Sequence, residues 1–404
     1  MYKKKFHFLY ISLFTIFLLS CSDSNIEPEI PTSPKLNELS IIKLTANDTI
    51  TKENNTSGTL IEMTSNGDIL TETPITIKGR GNTTWSVSDK KPYKVKMSKK
   101  HQLAGMPAEK SWIFLSNPLD SSMLRNEVGF QLSRMSNLEW TPNSSYADIF
   151  LNDDYRGTYQ ICDKVDISKT KLNIGKNGYI IETTPKNRLT KDEVYIKTPR
   201  CYFAIEDFDS KDKDSNTYKY LSDYINYCEE AICSANGIAS NGKTIDELID
   251  VESFVDWYLI NEIMKNVDSR MFASCKLHLT LSSKLYMGPV WDFDLSLGNV
   301  MEGHAEHLKS PEGIYIATGI WFADLIWRDF FLDKVKERYT YFYSNKDKLI
   351  KYIRSKAQQI HNSAIHNGER WNNGVDFDYE VDKMIKFLSQ RMDWLYNYWF
   401  ATTE

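Results

Sequence analysis

The order of two hydrophobic periodicities constrains the fold of this chain most. Strand-like alternation dominates from about residue 39 to 200, and helical spacing of apolar residues dominates from about 216 onward. The strand-like runs lie at 75–78, 93–97, 146–151, 155–162 and 179–182. A strand-rich half followed by a helix-rich half is typical of an α+β fold. We therefore expect an α+β domain over 39–404, with a β-rich part (39–200) and a mainly helical part (201–404).

Local signals refine this picture at three points. The run Asn152-Asp153-Asp154 has the composition of a hairpin turn between two strands. Apolar residues at helical spacing predict one helix inside the β-rich part, around 122–133. Thr244 with Glu247 fits a capping box at the start of a helix.

The first 38 residues do not read as part of the fold. Three lysines precede an apolar run over 8–19 that ends in Leu18-Leu19-Ser20-Cys21. Such a run is a signal-peptide core, and its end resembles the lipobox of bacterial lipoproteins. We expect a lipoprotein signal over 1–21, a lipid on Cys21 and export to the periplasmic face or cell surface; the alternative is an ordinary secretory signal with an incidental cysteine. Residues 22–38 are polar and proline-bearing, which predicts a flexible tether to the membrane.

Cysteine count and charge exclude some functions. Five cysteines follow Cys21, an odd number without a Cys-x-x-Cys pair, so neither a zinc ribbon nor a thioredoxin site is indicated. We expect mostly buried free thiols. The net charge of −5 gives no reason to propose nucleic acid as a partner.

A basic cluster is the first candidate site. Two glycines flank Arg80, and Lys94 and Lys96 follow in a predicted strand. Side chains two apart in a strand point to the same face, so these lysines and Arg80 would form an anion site. A solvated strand face is the alternative.

Two acidic segments are the other candidates. Asp268 follows a predicted helix that ends near Lys265, which is a suitable loop position for a catalytic carboxylate. Asp292 and Asp294 are two apart and, if extended, would project to one face, an arrangement that suits a hard cation such as Mg²⁺. The plainer interpretations are a helix-terminal turn for Asp268 and a tight turn for the pair. His304 and His307 are interpreted as exposed loop residues.

Together these segments resemble the CotH-type kinase family. The matching stretches run in family order from about 75 to 300. They are Arg80-Gly81-Asn82…Trp85, Lys91-Pro92-Tyr93-Lys94…Lys96, Leu103-Ala104-Gly105-Met106-Pro107-Ala108, Trp112, Leu124-Arg125-Asn126, Leu151-Asn152…Gly157-Thr158-Tyr159, Gly178-Tyr179, Asn266-Val267-Asp268 and Gly288-Pro289-Val290-Trp291-Asp292-Phe293-Asp294.

The resemblance implies a diverged, two-lobed protein-kinase-like fold that transfers phosphate from ATP to serines of a protein substrate. It implies that Asp268 is the catalytic aspartate and that Asp292, with Asp294 as a further candidate, binds Mg²⁺. The remaining implied roles are nucleotide binding by Arg80, Lys94 and Lys96, and a place beside the adenine for Tyr286.

Departures from ordinary kinases leave rival interpretations open. No His-Arg-Asp sequence precedes Asp268, and no glycine-rich phosphate loop is present. A catalytically inactive, surface-tethered module that binds protein or glycan is one alternative, since aromatic residues make up 13% of the chain. A glycoside hydrolase that uses Asp268 and Asp292 as paired carboxylates is another.

Overall fold

A computed structural model of the chain describes residues 39–191, 193–371 and 374–401. The expected signal segment (1–21) with Cys21 and the expected tether (22–38) lie outside the described residues, so they stay predictions. Within these ranges no helix combines the length and the apolar character needed to span a bilayer.

Seven strands of the N-terminal part close into a barrel in the order β1-β2-β3-β4-β5-β7-β6. Neighbouring strands are antiparallel except for β1 and β6, whose parallel pairing closes the barrel. Inward-facing apolar side chains such as Ile77, Val95 and Trp112 fill its interior. The strands are β1 (Ser40–Ala46), β2 (Thr56–Met63), β3 (Ile69–Gly79), β4 (Tyr93–Leu103), β5 (Met106–Leu115), β6 (Ser144–Leu151) and β7 (Asp154–Asp163).

The predicted hairpin turn joins β6 to β7. Asn152 and Asp153 both have positive φ, 49° and 63°, which is the backbone of a type I′ turn. Two helices interrupt the barrel strands: α1 (Thr83–Val87) and α2 (Arg125–Arg134). The second is the helix expected around 122–133, and it begins three residues later because Asp120 and Ser122 form a hydrogen-bonded turn before it.

A second sheet has the order β12-β11-β8-β10-β9. Its strands are β8 (Gly178–Thr183), β9 (Tyr195–Lys197), β10 (Tyr202–Ile205), β11 (Lys276–Thr280) and β12 (Tyr286–Met287). The sheet therefore combines strands from both halves of the sequence. The α+β prediction, with a β-rich N-terminal part and a helical C-terminal part, is confirmed, and the β-rich part takes the form of a closed barrel.

The C-terminal part is helical as predicted. Its helices are α3 (Asn216–Cys233), α4 (Ile245–Leu248), α5 (Val251–Met264), α6 (Phe322–Leu325), α7 (Asp329–Ser344), α8 (Lys346–Trp371) and α9 (Phe377–Phe400). The predicted capping box of Thr244 and Glu247 starts α4. Every residue of α5 from 253 to 264 is buried because α2, α7, α9 and β12 all pack on it.

A second hydrophobic core joins the barrel to the helices. It contains side chains from the outer surface of the barrel, among them Ile113, Tyr146 and Cys162, as well as those of the helices. The five described cysteines are free, and four of them are buried while Cys233 is half-buried. This confirms the expectation of mostly buried free thiols.

Candidate functional site

The loop that carries Asp268 is fixed by the residue two positions before it. Helix α5 ends at Met264, and Lys265 caps it in the left-handed conformation with a φ of 46°. The Asn266 amide then donates to Asn261 Oδ1 (3.2 Å), to Ser269 Oγ (2.8 Å) and to the Asp292 carbonyl oxygen (3.0 Å). The position of Asp268 is thus set by the end of a buried helix.

Asp292 lies in an irregular segment after β12. Its φ is 68°, so the segment is not extended at Asp292, and the condition under which Asp292 and Asp294 would project to one face is not met. The next residue, Phe293, donates its backbone N–H to Asn126 Oδ1 at 2.9 Å and packs closely on Gly129, where a Cβ would lie 2.3 Å from the Phe293 ring. The backbone turns at Asp292 because its neighbour is held by α2.

Direct hydrogen bonds bring the Asp268 loop and the Asp292 segment together. Val267 N–H donates to the Leu295 carbonyl at 3.0 Å, and Leu297 N–H donates to the Met264 carbonyl at 2.7 Å. Burial raises the pKa of Asp268, and the neighbouring charge of Asp292 raises it further. The pKa of Asp294 is raised well above its ordinary value by burial and by the charges of both other carboxylates.

Arg80 is the cation of this group. It follows β3, where Gly81 turns the chain with a φ of 81°, and its guanidinium lies 5.7 Å from the centroid of the Trp291 ring. Burial lowers the pKa of Arg80, while the charges of Asp292 and Asp294 oppose that shift. Arg80, Asp268, Asp292 and Asp294 therefore occupy one site.

The two lysines of β4 are placed differently. Tyr93, Val95 and Met97 point into the barrel, so Lys94 and Lys96 share its outer face as predicted. Partial burial lowers the pKa of Lys94. The positive charge of Lys164 lowers this pKa further, and the charge of Lys78 does so to a smaller extent. Lys96 is exposed, and no contact with Arg80 or the carboxylates is seen in the described part of the chain.

Tyr286 lies at the edge of the second sheet. Its ring stacks on His278 with centroids 5.4 Å apart and planes at 13°. His278 is buried, with Nδ1 3.1 Å from the Gly288 carbonyl and Nε2 3.1 Å from Glu139 Oε2. Gly288 begins the segment that leads to Asp292, so this stack borders the site.

Three charged residues at the site were missed by the sequence analysis. Lys276 donates to Glu182 Oε2 at 2.6 Å and also to Glu206 Oε1. The charges of Glu182 and Lys276 both act on Asp292. No sequence signal could have found this group, because its members come from distant positions that only the sheet brings together.

Loop residues around the carboxylates also change the pKa values of Asp292 and Asp268. Ser274 Oγ donates to Asp292 Oδ2 at 2.9 Å and lowers the pKa of this aspartate against the effect of burial. The charges of Arg188 and His304 act on Asp268 in the direction that lowers its pKa. His307 is exposed as expected, although it lies in a short 3-10 helix, whereas His304 is half-buried, so the expectation of an exposed residue was wrong for His304.

Comparison with protein families decides the identity of the domain. The family model described as CotH kinase protein matches residues 77–395, from β3 into α9, and so covers most of the chain. The chain belongs to the CotH kinase family. The match includes all four residues of the Arg80–Asp294 site, and no curated protein matches the chain. The family prediction made from the sequence is confirmed.

The donor set of this family member fits a magnesium ion that arrives with phosphate. Among the described residues no group of three or more His, Cys, Asp or Glu side chains is arranged to hold a metal ion by itself. Burial raises the pKa of both Asp292 and Asp294, and the charge of Asp292 raises the pKa of Asp294 further, which favours a bound cation beside them. Mg²⁺ is commonly held by one or two carboxylates, with water and substrate phosphates as the other ligands.

Proposed function

We propose that this chain is an atypical protein kinase that transfers the γ-phosphate of ATP to serine hydroxyls of an exported protein. The observation that carries the proposal is the convergence of Arg80, Asp268, Asp292 and Asp294 in one site of a CotH-family chain. Phosphoryl transfer depends mainly on positioning and on neutralising charge. For these tasks the site offers two carboxylates that could hold a metal (Asp292 and Asp294), one cation (Arg80) and one carboxylate that could act as a base (Asp268).

The nucleotide end of the site has three parts in this proposal. Asp292 and Asp294 would hold Mg²⁺, which neutralises charge on the phosphates when it is bound. Arg80 would contact the phosphates directly, with Lys94 and Lys96 along the outer face of β4. Tyr286 would lie beside the adenine, on its stacked partner His278.

Asp268 would act on the acceptor. Its carboxylate would orient the serine hydroxyl and accept its proton as the bond from the serine oxygen to the γ-phosphorus forms and the bond from that phosphorus to the leaving ADP breaks. The raised pKa of Asp268 makes it a stronger base than an exposed aspartate, because burial and Asp292 disfavour its charge. The hydrogen bonds of Asn266 keep this carboxylate at a fixed place relative to Asp292.

The fold would work in the manner of a two-lobed kinase. In this part of the proposal the barrel is one lobe and supplies Arg80 and Lys94. The second sheet with its helices is the other lobe and supplies Tyr286, Asp268 and Asp292. The nucleotide would bind between the outer face of β4 and the face of the second sheet that carries Tyr286.

We also propose that the kinase is anchored to the membrane by a lipid on Cys21, with residues 22–38 as the tether. The basis for this proposal is the Leu18-Leu19-Ser20-Cys21 sequence at the end of an apolar run. The acceptor would then be a protein of the cell envelope, and ATP would have to reach that compartment.

The experiment is incubation of the purified protein with γ-labelled ATP, Mg²⁺ and a cell-envelope fraction. The proposal predicts label on serine, lost when EDTA replaces Mg²⁺. Absence of labelled protein with intact MgATP binding would favour the alternative, an inactive protein- or glycan-binding module, and would contradict a kinase.

A further inference from the structure

An ionic cluster on the second sheet has no role in the chemistry proposed above. The Lys276 ammonium is shared by Glu182 and Glu206, and its side chain is only 8% exposed. Two carboxylates and one ammonium carry a net charge of about −1, and the nearby cations Arg80 and Lys164 partly offset it, since Glu182 acts on Arg80 and Glu206 acts on Lys164. We call these three residues the carboxylate clamp.

The clamp lies on the side of the sheet that faces the proposed nucleotide site. Lys276 is directly opposite Glu182, so the two side chains point to the same face. Ala204 is also opposite Glu182, and Glu206, two residues later, shares that face. Ser274, two residues before Lys276, donates to Asp292 Oδ2 at 2.9 Å, which places the clamp beside the proposed phosphate site. The charge of Glu182 acts on both Arg80 and Asp292, in agreement with this position.

Lys276 uses only one of the two oxygens of each carboxylate in the clamp. In the described part of the chain the side chains of Glu182 and Glu206 bond to Lys276 alone, through one oxygen each, and they are 28% and 25% exposed. An ionised carboxylate only accepts hydrogen bonds. Because Lys276 already provides the cation, the partner that fits the remaining oxygens is a pair of neutral donors, such as two hydroxyls.

One aromatic side chain lies beyond the clamp on the same face. His278, two residues after Lys276, is buried, as is Ile180 opposite it, whereas Tyr286, which pairs with His278 at the edge of the sheet, is half-buried. The face thus offers a phosphate and metal position, then two hydrogen-bond acceptors, then the Tyr286 ring, which is the order of phosphate, ribose and base in a nucleotide.

We propose that Glu182 and Glu206 bind the 2′- and 3′-hydroxyls of the ribose and make this site selective for ribonucleotides. Lys276 is then a positioning residue, which holds both carboxylates so that one oxygen of each faces the ligand. This inference rests on the proposed function, because it requires that a nucleotide binds here.

The first test uses the unmodified protein. Calorimetry compares MgATP with the magnesium complexes of 2′-deoxy-ATP and 3′-deoxy-ATP. A hydroxyl bonded to a carboxylate makes each deoxy compound bind about tenfold more weakly or worse. Equal affinities would overturn the inference, while phosphate transfer from ATP in the same preparation would leave the proposed function standing. Failure of all three compounds to bind would overturn both.

The second test assigns the selectivity to the clamp. Glu206→Gln should weaken binding of MgATP and of the deoxy compound that keeps the hydroxyl bound by Glu206, and should leave the other deoxy compound little changed. The ratio of the MgATP affinity to the affinity of that unchanged compound should therefore fall towards one. Lys276→Met should reduce the same ratio, and Glu72→Gln, on an exposed part of the barrel, should preserve it. A variant that loses affinity for all three compounds equally would show a structural role only, and loss that excess Mg²⁺ restores would show a metal ligand; either result overturns the inference.

Discussion

The side-chain amide of Asn266 donates a 3.0 Å hydrogen bond to the carbonyl oxygen of Asp292. This bond joins the proposed base loop to the proposed metal segment. Asn266 also donates a hydrogen bond to Asn261 near the end of the buried helix α5. The same rigid helix therefore holds both acidic segments in place. A small change in the distance between the two carboxylates would slow phosphoryl transfer, because the rate of this reaction depends on the positions of the reacting groups.

Asp294 should destabilise the protein when no cation is bound. Its pKa is raised in the folded state, so the favourable contribution of its protonated form is present below the unfolded pKa and is lost as pH rises through the folded pKa. Asp294→Asn should therefore raise the Tm of the metal-free protein near pH 7.5, on the order of 1–1.5 °C for a domain of this size if the relief is about 1 kcal/mol.

The pH dependence of that gain checks its cause. The difference in Tm between Asp294→Asn and the wild type should shrink as pH falls towards about 4, where the unfolded aspartate also becomes protonated. Asp333→Asn, at an exposed helix position, should show no comparable gain. A gain that is constant with pH would exclude charge repulsion as its source.

Lys265 should be important for the loop next to Asp268. Its ammonium donates to the carbonyls of His307 (2.9 Å), Ser310 (2.8 Å) and Glu312 (2.5 Å). Lys265→Met removes three hydrogen bonds from a buried ammonium, and we expect a loss of about 2–4 kcal/mol in unfolding free energy, since a hydrogen bond to a charged group contributes roughly 1.5–3 kcal/mol and water can replace part of that at the exposed carbonyls.

The matched control lies in the segment whose carbonyls Lys265 contacts. Lys309 is exposed and pairs with Glu306, so Lys309→Met should change stability by less than about 0.5 kcal/mol. Urea unfolding measures both variants. Equal stability of Lys265→Met and the wild type would show that the three carbonyl contacts do not hold the loop.

Arg80 and Lys96 should contribute to ATP binding. Charge-assisted contacts to phosphate contribute on the order of 1.5–3 kcal/mol, so replacing either residue with Met should weaken MgATP binding about tenfold or more. Lys43→Met, on an exposed barrel position, is the control. Calorimetry that finds unchanged affinity for the Arg80 variant would remove it from the phosphate site, and the Lys96 variant is judged separately because Lys96 lies further out on β4.

The lipid anchor has its own test. Cys21→Ala should move the protein from the membrane fraction to the soluble fraction after cell breakage, because a lipid can no longer be attached there. Cys233→Ala should leave the distribution unchanged. Membrane association of Cys21→Ala equal to that of the wild type would argue against lipid anchoring.

Local and short-range features of this molecule could be predicted from its sequence. The strands with alternating side chains, the turn at Asn152, the capping box at Thr244 and the end of α5 before Asp268 all depend on neighbouring residues. The closure of the barrel could not, because β1 and β6 pair across about a hundred residues and no local pattern specifies that pairing.

The same distinction between local features and long-range contacts applies to the candidate site. Asp268 and Asp292 could be found because each lies in a short motif that matches the family. The geometry at Asp292 could not, since its left-handed backbone is imposed by the packing of Phe293 on Gly129. The carboxylate clamp was missed because Glu182 and Lys276 become neighbours only when β8 pairs with β11.

Transfer of labelled γ-phosphate by Asp268→Asn tests the central claim most directly, with calorimetry to show that the variant still binds MgATP. The proposed mechanism predicts binding within a few-fold of the wild type and transfer reduced by roughly 10²–10⁴-fold, the usual contribution of a general base. Asp292→Asn should differ by losing Mg²⁺-dependent binding as well. Wild-type transfer rates in Asp268→Asn would contradict the proposed mechanism.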